Sequence, residues 1–231
     1  MSPLFFLVKN NSRVLKMSLD DIKIKVYKQE QTSGLVEGVT KIIAVSKLQP
    51  DERVESVLKV GHRIFGENRV QEAAHKWPEF KKKYDGIELH LLGPLQRNKV
   101  RQAMNLFDYI HTVDNFKLVK KIAEIRDEIS FCPKLFIQVN TGKEEQKSGV
   151  DVSNLNELLL ACKKFYLPVC GLMCIPPSQD DPSKHFASLK NLAIQENLKE
   201  LSMGMSNDFE IAIRSGATFI RVGSAIFGQR P

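Results

Sequence analysis

The chain has 231 residues, 42% of them hydrophobic and 26% charged, with 34 basic against 27 acidic side chains and a formal charge of +7. That composition excludes a disordered chain and allows one sizeable core, since α/β barrels of this length fold as a single unit. Nucleic-acid binding needs a basic face interleaved with aromatics or a known module; neither is present, and the densest basic run, Lys81, Lys82 and Lys83, reads as a solvated helix end.

Residues 4–8 are apolar but too few to span a membrane, and no small-residue cleavage pattern follows them, so a soluble, cytoplasmic protein is expected. Met17 opens the run Met-Ser-Leu-Asp-Asp, which reads as a fresh start. Residues 1–17 are therefore expected to be an N-terminal extension, disordered or upstream of the true start, ahead of one domain over 18–231. Ser18 offers a helix cap, and 18–30 is predicted helical. Strand-like runs follow at 41–46, 63–66, 87–92, 107–113, 134–140, 169–175, 201–205 and 217–222. Helical patterns lie between them at 52–60, 70–80, 98–105, 115–129, 153–165, 182–197 and 207–215, without a linker. Most of these strands do not alternate strictly, the mark of parallel strands buried on both faces. The expected fold is a single (β/α)8 TIM-type barrel with an extra N-terminal helix. An open doubly wound sheet is the other arrangement, and no G-x-G-x-x-G or Walker-type loop favours it.

Cys132, Cys162, Cys170 and Cys174 form no C-x-x-C pair and sit in or beside apolar runs, as reduced buried thiols do. His62, His75, His90, His111 and His185 lack metal-ligand spacing, so no metal site is expected.

Reactive and phosphate-friendly residues recur where predicted strands stop, and in barrels that rim carries the site. Lys47 closes the first strand, Glu67 and Asn68 follow the second, His111 and Asp114 flank the end of the fourth, and Asn140 ends the fifth. Ser206 follows the seventh, and Arg221, Gly223 and Ser224 end the eighth. A lysine emerging from a buried strand is costly unless exposed, paired or chemically used; desolvation leaves more free amine to attack an aldehyde. The loops after the seventh and eighth barrel strands frequently bind phosphate. Here Ser206 is expected to cap the next helix while facing an anion, Gly223 to let the backbone come close, and Ser224 to add a hydroxyl.

In series, Ala44-Val45-Ser46-Lys47, Phe65-Gly66-Glu67-Asn68, Gly93-Pro94-Leu95-Gln96 with Asn98-Lys99, His111-Thr112-Val113-Asp114 and Gln138-Val139-Asn140 form an ordered set of motifs. Gly171-Leu172-Met173, Leu201-Ser202-Met203-Gly204-Met205-Ser206 with Asp208, and Arg221-Val222-Gly223-Ser224-Ala225-Ile226-Phe227-Gly228 complete it. Over 18–231 the chain resembles the pyridoxal phosphate homeostasis protein family, also called YggS/PROSC. The resemblance implies a fold like the N-terminal barrel of alanine racemase, with pyridoxal 5′-phosphate (PLP) held as a Schiff base on Lys47. By the same likeness Ser206, Gly223 and Ser224 hold the phosphate, Arg221 lies by the pyridine nitrogen, and Asn68 and Met203 line the pocket. An arginine there disfavours protonation of the ring and weakens it as an electron sink. The family implies an intracellular PLP carrier or regulator, often monomeric, acting toward apo-PLP enzymes and without robust catalysis, so no catalytic residue is assigned. Two departures are visible: Leu48-Gln49-Pro50 replaces the usual Thr-Lys-Pro, and Arg69 replaces a tyrosine. They remove any role for a second lysine or a tyrosine at those positions.

Two other functions compete. A racemase of the alanine racemase type needs a second base, a tyrosine from a further domain, and none of Tyr27, Tyr84, Tyr109 and Tyr166 falls at a predicted strand's C-terminal end. The chain ends at Pro231, which leaves no expected room for that domain. A barrel enzyme acting on a phosphorylated metabolite without PLP is the third reading.

Overall fold

The computed structural model describes residues 18–144 and 146–229. The proposed extension over 1–17 lies outside the described residues. Helix α1 (Leu19–Thr32) begins where Ser18 caps it: Ser18 Oγ accepts the Asp21 N–H at 3.2 Å, and Asp21 Oδ2 accepts the Ser18 N–H at 2.8 Å. Strand and helix then alternate as β1 (Lys41–Val45), α2 (Asp51–Lys59), β2 (Ile64–Glu67), α3 (Val70–Lys83) and β3 (Glu88–Leu91). A 3-10 turn at Arg97–Lys99 leads into α4 (Val100–Leu106), followed by β4 (Tyr109–Val113), α5 (Phe116–Ile129) and β5 (Lys134–Asn140). Next come β6 (Val150–Asp151), α6 (Leu155–Lys164), β7 (Val169–Met173), α7 (Pro182–Gln195) and β8 (Glu200–Met205). The chain finishes with α8 (Phe209–Arg214), β9 (Phe219–Val222) and α9 (Ser224–Phe227).

Every strand pairing is parallel, in the order β4-β3-β2-β1-β9-β8-β7-β5, and β4 also pairs with β5. The sheet therefore closes into the expected (β/α)8 barrel with an additional N-terminal helix, and the open sheet is ruled out. The short β6 pairs only with the C-terminal end of β5. Neither β6 nor α9 was legible as a periodic pattern, because two and four residues are too few to show one. Strand β6 depends on tertiary geometry: Gly149, at φ 122, carries the chain so close to Asn140 that a side chain would collide with its backbone.

The strands divide the core into two layers. Ile42, Ala44, Leu89, Leu91, Ile110, Leu135, Ile137, Leu172, Ile220 and Val222 point outward and pack under the helices. Ile43, Tyr109, Phe136, Met173 and Phe219 point inward and fill the barrel. Period-2 alternation thus exists in each strand, but both faces are apolar enough to hide it. All four cysteines are free thiols; burial pushes Cys162 and Cys174 up to about 12. Among the described residues no helix is long and apolar enough to cross a membrane, and no cluster of metal-ligating side chains occurs.

Trp77 of α3 is fully buried against Phe65 and Phe80, at ring separations of 4.9 and 5.6 Å, and its Nε1 donates to Glu67 Oε1 at 3.1 Å. Trp77→Ala is expected to cost about 3–5 kcal/mol of unfolding free energy, read as a lower urea midpoint with an unchanged slope.

Candidate functional site

At the C-terminal rim a cavity of about 1120 Å³ is lined by Lys47, Asn68, Ser206, Arg221, Gly223 and Ser224. Six of the seven residues singled out from the sequence therefore meet in one place. Met203 does not line it: its side chain is fully buried in the outer layer, because alternation along β8 turns Ser202 inward and Met203 toward the helices.

Lys47, half-buried, follows Ser46 at the end of β1, and both of its neighbours are clamped. Ser46 Oγ donates to Glu67 Oε1 at 2.8 Å, Lys76 Nζ donates to the Ser46 carbonyl at 3.2 Å, and the Leu48 N–H donates to Glu72 Oε1 at 2.6 Å. Leu48 takes φ 57, a left-handed conformation that costs a leucine roughly 1–2 kcal/mol and that these bonds sustain. Glu67 is not a rim residue: it faces α3, fully buried, and desolvation pushes its pKa up against the opposing pull of Lys76. Among the described residues its Oε2 is buried without a hydrogen-bond partner.

The loops after β8 and β9 meet across the cavity, where Ser224 Oγ donates to Ser206 Oγ at 3.2 Å. Ser206 caps no helix, contrary to the expectation from sequence. Helix α8 starts at Phe209, and Asp208 Oδ1 instead accepts the Met205 N–H at 2.5 Å, which turns the chain before the helix begins. Gly223 sits where a Cβ would lie 3.1 Å from the Val45 carbonyl, so the absence of a side chain lets this loop pack onto the end of β1.

Arg221 is buried inside the barrel at the cavity floor, with Nη1 donating to Ser202 Oγ at 2.8 Å and Nη2 to the Cys174 carbonyl at 2.9 Å. Burial lowers its pKa, but a guanidinium stays protonated. Among the described residues no carboxylate forms an ion pair with it. Of the carboxylates that line the cavity, Asp208 accepts the Met205 N–H and acts on Arg221 through space, against the effect of burial, and Asp180 faces His185.

Of three further residues expected at strand ends, His111 is displaced, while Asp114 and Asn140 stand where expected but face away from the cavity. His111 lies in the middle of β4, wholly inside the barrel. Asp114 Oδ2 accepts the Gly149 N–H at 3.2 Å, and Asn140 Nδ2 donates to the Glu144 carbonyl at 2.9 Å, so both shape the loop between β5 and β6 and neither lines the cavity. Sequence reasoning missed the loop after β7, where Ile175, Pro176, Pro177 and Ser178 wall one side; the paired prolines were the visible sign of a rigid loop. It also missed Glu88, His90 and Ser202, polar residues facing the barrel axis, which the every-second-residue spacing of Glu88 and His90 could have flagged.

An amine, a donor-only guanidinium and a pair of touching hydroxyls converging at one barrel mouth define a binding protein for a small anionic ligand. Residues 20–231 match the family of the alanine racemase N-terminal domain. A Vibrio cholerae protein named pyridoxal phosphate homeostasis protein is 35% identical over 94% of this chain and 97% of its own. PipY of Synechococcus elongatus PCC7942, solved without PLP and with PLP bound, is 35% identical with TM-scores of 0.79 and 0.76, covering 88% of this chain and 100% of PipY. The chain belongs to the pyridoxal phosphate homeostasis protein family. An alanine racemase of Clostridium difficile 630, at 14% identity and TM-score 0.67 over 93% of this chain and 58% of its own, shares the fold.

The buried imidazoles give the protein an acid-sensitive stability. Desolvation lowers His62 from 6.5 to about 4, and lowers His90 and His111 as well. Because the unfolded chain binds these protons first, stability is full above pH 6.5 and declines as pH falls toward about 4. His62 alone accounts for ~3 kcal/mol of that loss. Denaturant midpoints measured down this window should fall in the wild type and fall less in His62→Gln.

Proposed function

We propose that the protein binds PLP at the C-terminal rim, with Lys47 as its covalent anchor, and serves PLP homeostasis as a carrier or regulator. Three things recommend the cavity for that group. Ser206 and Ser224 supply adjacent hydroxyls, and Gly223 brings its loop onto the end of β1, from which Lys47 emerges. Arg221 supplies buried positive charge that forms no ion pair among the described residues, Asp208 acting on it only through space, so an anionic ligand is favoured there. Bound in this cavity, PLP supplies an aldehyde that can condense with an amine.

The carrying observation is that Lys47, Ser206, Arg221 and Ser224 line one cavity although they come from opposite ends of the chain. Ser206 and Ser224 would hold the phosphate, Asn68 would border the ring, and the fixed segment 46–48 would present the Lys47 amine. Arg221 would place a cation beside the pyridine nitrogen, which would disfavour protonation of that nitrogen. The racemase reading is disfavoured because no tyrosine of the described residues lines the cavity, and loss of a general base typically forfeits about 10² to 10⁴ in rate. PLP in intracellular exchange with apo-PLP enzymes, by a cytoplasmic and monomeric protein, completes the proposal.

Wild-type protein supplied with PLP should turn yellow and, after borohydride reduction, carry the cofactor's mass on the peptide containing Lys47. Lys47→Ala should show neither; a colourless wild type would overturn the reading. Ser206→Ala should weaken PLP binding by about 1 to 3 kcal/mol, measured by equilibrium titration, if its hydroxyl meets the phosphate. Circular dichroism with D- and L-alanine should show racemisation no faster than with free PLP.

A further inference from the structure

Below the cavity floor, side chains from β3, β4, β8 and β9 form an unbroken polar line along the barrel axis. Arg221 Nη1 donates to Ser202 Oγ at 2.8 Å, and Ser202 Oγ lies 2.9 Å from His111 Nδ1. His111 Nε2 lies 2.8 Å from His90 Nδ1, and His90 Nε2 lies 3.0 Å from Glu88 Oε1 near the opposite rim. Both imidazoles are fully buried; His90 stacks on Tyr109 at 4.4 Å and His111 on Phe136 at 4.3 Å. Of these five residues, Arg221 lines the cavity and the other four lie beneath it.

The two charged ends leave one way to place the protons. A guanidinium can only donate, so Ser202 Oγ accepts from Arg221. For Glu88, burial raises the pKa, but the His90 hydrogen bond and the cations Lys41 and Lys134 outweigh it, so the carboxylate is ionised and only accepts. His90 therefore presents Nε2–H to Glu88. As burial keeps that ring neutral, its Nδ1 accepts, which requires Nε2–H on His111. His111, buried beside both His90 and the Arg221 cation, is also neutral, so its Nδ1 accepts the Ser202 hydroxyl proton. The opposite polarity would set the unprotonated Nε2 of His90 against the Glu88 carboxylate, two acceptors facing each other in a buried site. Of the other charged groups near the line, Lys41 and Asp108 beside His90 act in opposite directions on it, and Asp208 acts on Arg221 against the effect of burial.

We infer that Ser202 and His111 are positioning residues for Arg221, held by a one-way donor chain Arg221 to Ser202 to His111 to His90 to Glu88 in which both histidines are neutral Nε2–H tautomers. The device answers a specific difficulty. An arginine that must present its charge to the cavity cannot be fixed by a carboxylate, because that partner would neutralise it. A neutral hydroxyl and the Cys174 carbonyl fix it instead, and the hydroxyl is itself oriented by two rings whose tautomers are set by an anion at the far end of the barrel. The guanidinium is held rigid by neutral acceptors, with Asp208 acting on it only through space.

The consequence for ligand affinity rests on the PLP reading; the proton placement does not. Histidine-labelled protein without cofactor should show, by long-range ¹H–¹⁵N correlation, Nε2–H and bare Nδ1 on both His90 and His111, unchanged from about pH 8 to about pH 7. An Nδ1–H on either ring, or protonation in that range, overturns the chain. In Ser202→Ala the His111 Nδ1 resonance should move to that of a nitrogen with no donor and the Kd for PLP should rise about tenfold, with Ser202→Thr restoring both. A shifted His111 with unaltered PLP affinity overturns the positioning role. Wild-type protein with the expected tautomers that takes up no PLP overturns the cofactor reading and supports the chain; PLP uptake with Nδ1–H rings overturns the chain alone.

Discussion

The seam between β1 and β9 is the constraint on which the site depends. Lys41 pairs with Phe219, Ile42 with Ile220, Ile43 with Arg221 and Ala44 with Val222, so the first and last barrel strands run side by side in fixed register. Lys47 and Gly223 leave that seam from adjacent strand ends, and Gly223 packs against Val45 because it has no side chain. Residues separated by most of the chain thereby share one mouth. Backbone hydrogen bonds of a closed sheet, with no free edge to slip, give this proximity a rigidity that loops alone would not.

The barrel interior does two jobs with one alternation. Near the N-terminal rim it is filled by Tyr109, Phe136 and Phe219, which stack edge and face around the histidines. Toward the cavity it turns polar through His111, Ser202 and Arg221. A buried guanidinium with no ion pair among the described residues costs stability, and a bound anion would relieve that cost; the proposed site and the buried charge are thus two sides of one electrostatic arrangement. The same dry interior that keeps both rings neutral is what makes the fold sensitive to acid.

A second buried network acts from outside the barrel wall. Glu67, Lys76 and Glu72 grip Ser46 and Leu48 on either side of Lys47, and α3 carries two of the three. The helix that Trp77 anchors to the core therefore also fixes the segment bearing the amine. The segment Leu48-Gln49-Pro50 begins in this clamped stretch, where Leu48 contributes its backbone N–H and a left-handed turn.

Alternating strand and helix patterns were enough to indicate the closed barrel and α1, whose capping box is local chemistry between Ser18 and Asp21. The ends of the strands likewise marked Lys47, Asn68, Ser206, Arg221, Gly223 and Ser224, because in this fold strand termini share a rim whatever their distance along the chain. Only the tertiary structure decided which way each side chain faces. Strands apolar on both sides conceal their phase, so Met203 could not be told from a lining residue, nor His111 from a rim residue, until closure assigned inside and outside. The line from Arg221 to Glu88 was equally hidden, since it joins residues of four strands that touch only across the barrel axis, a direction along which sequence has no periodicity.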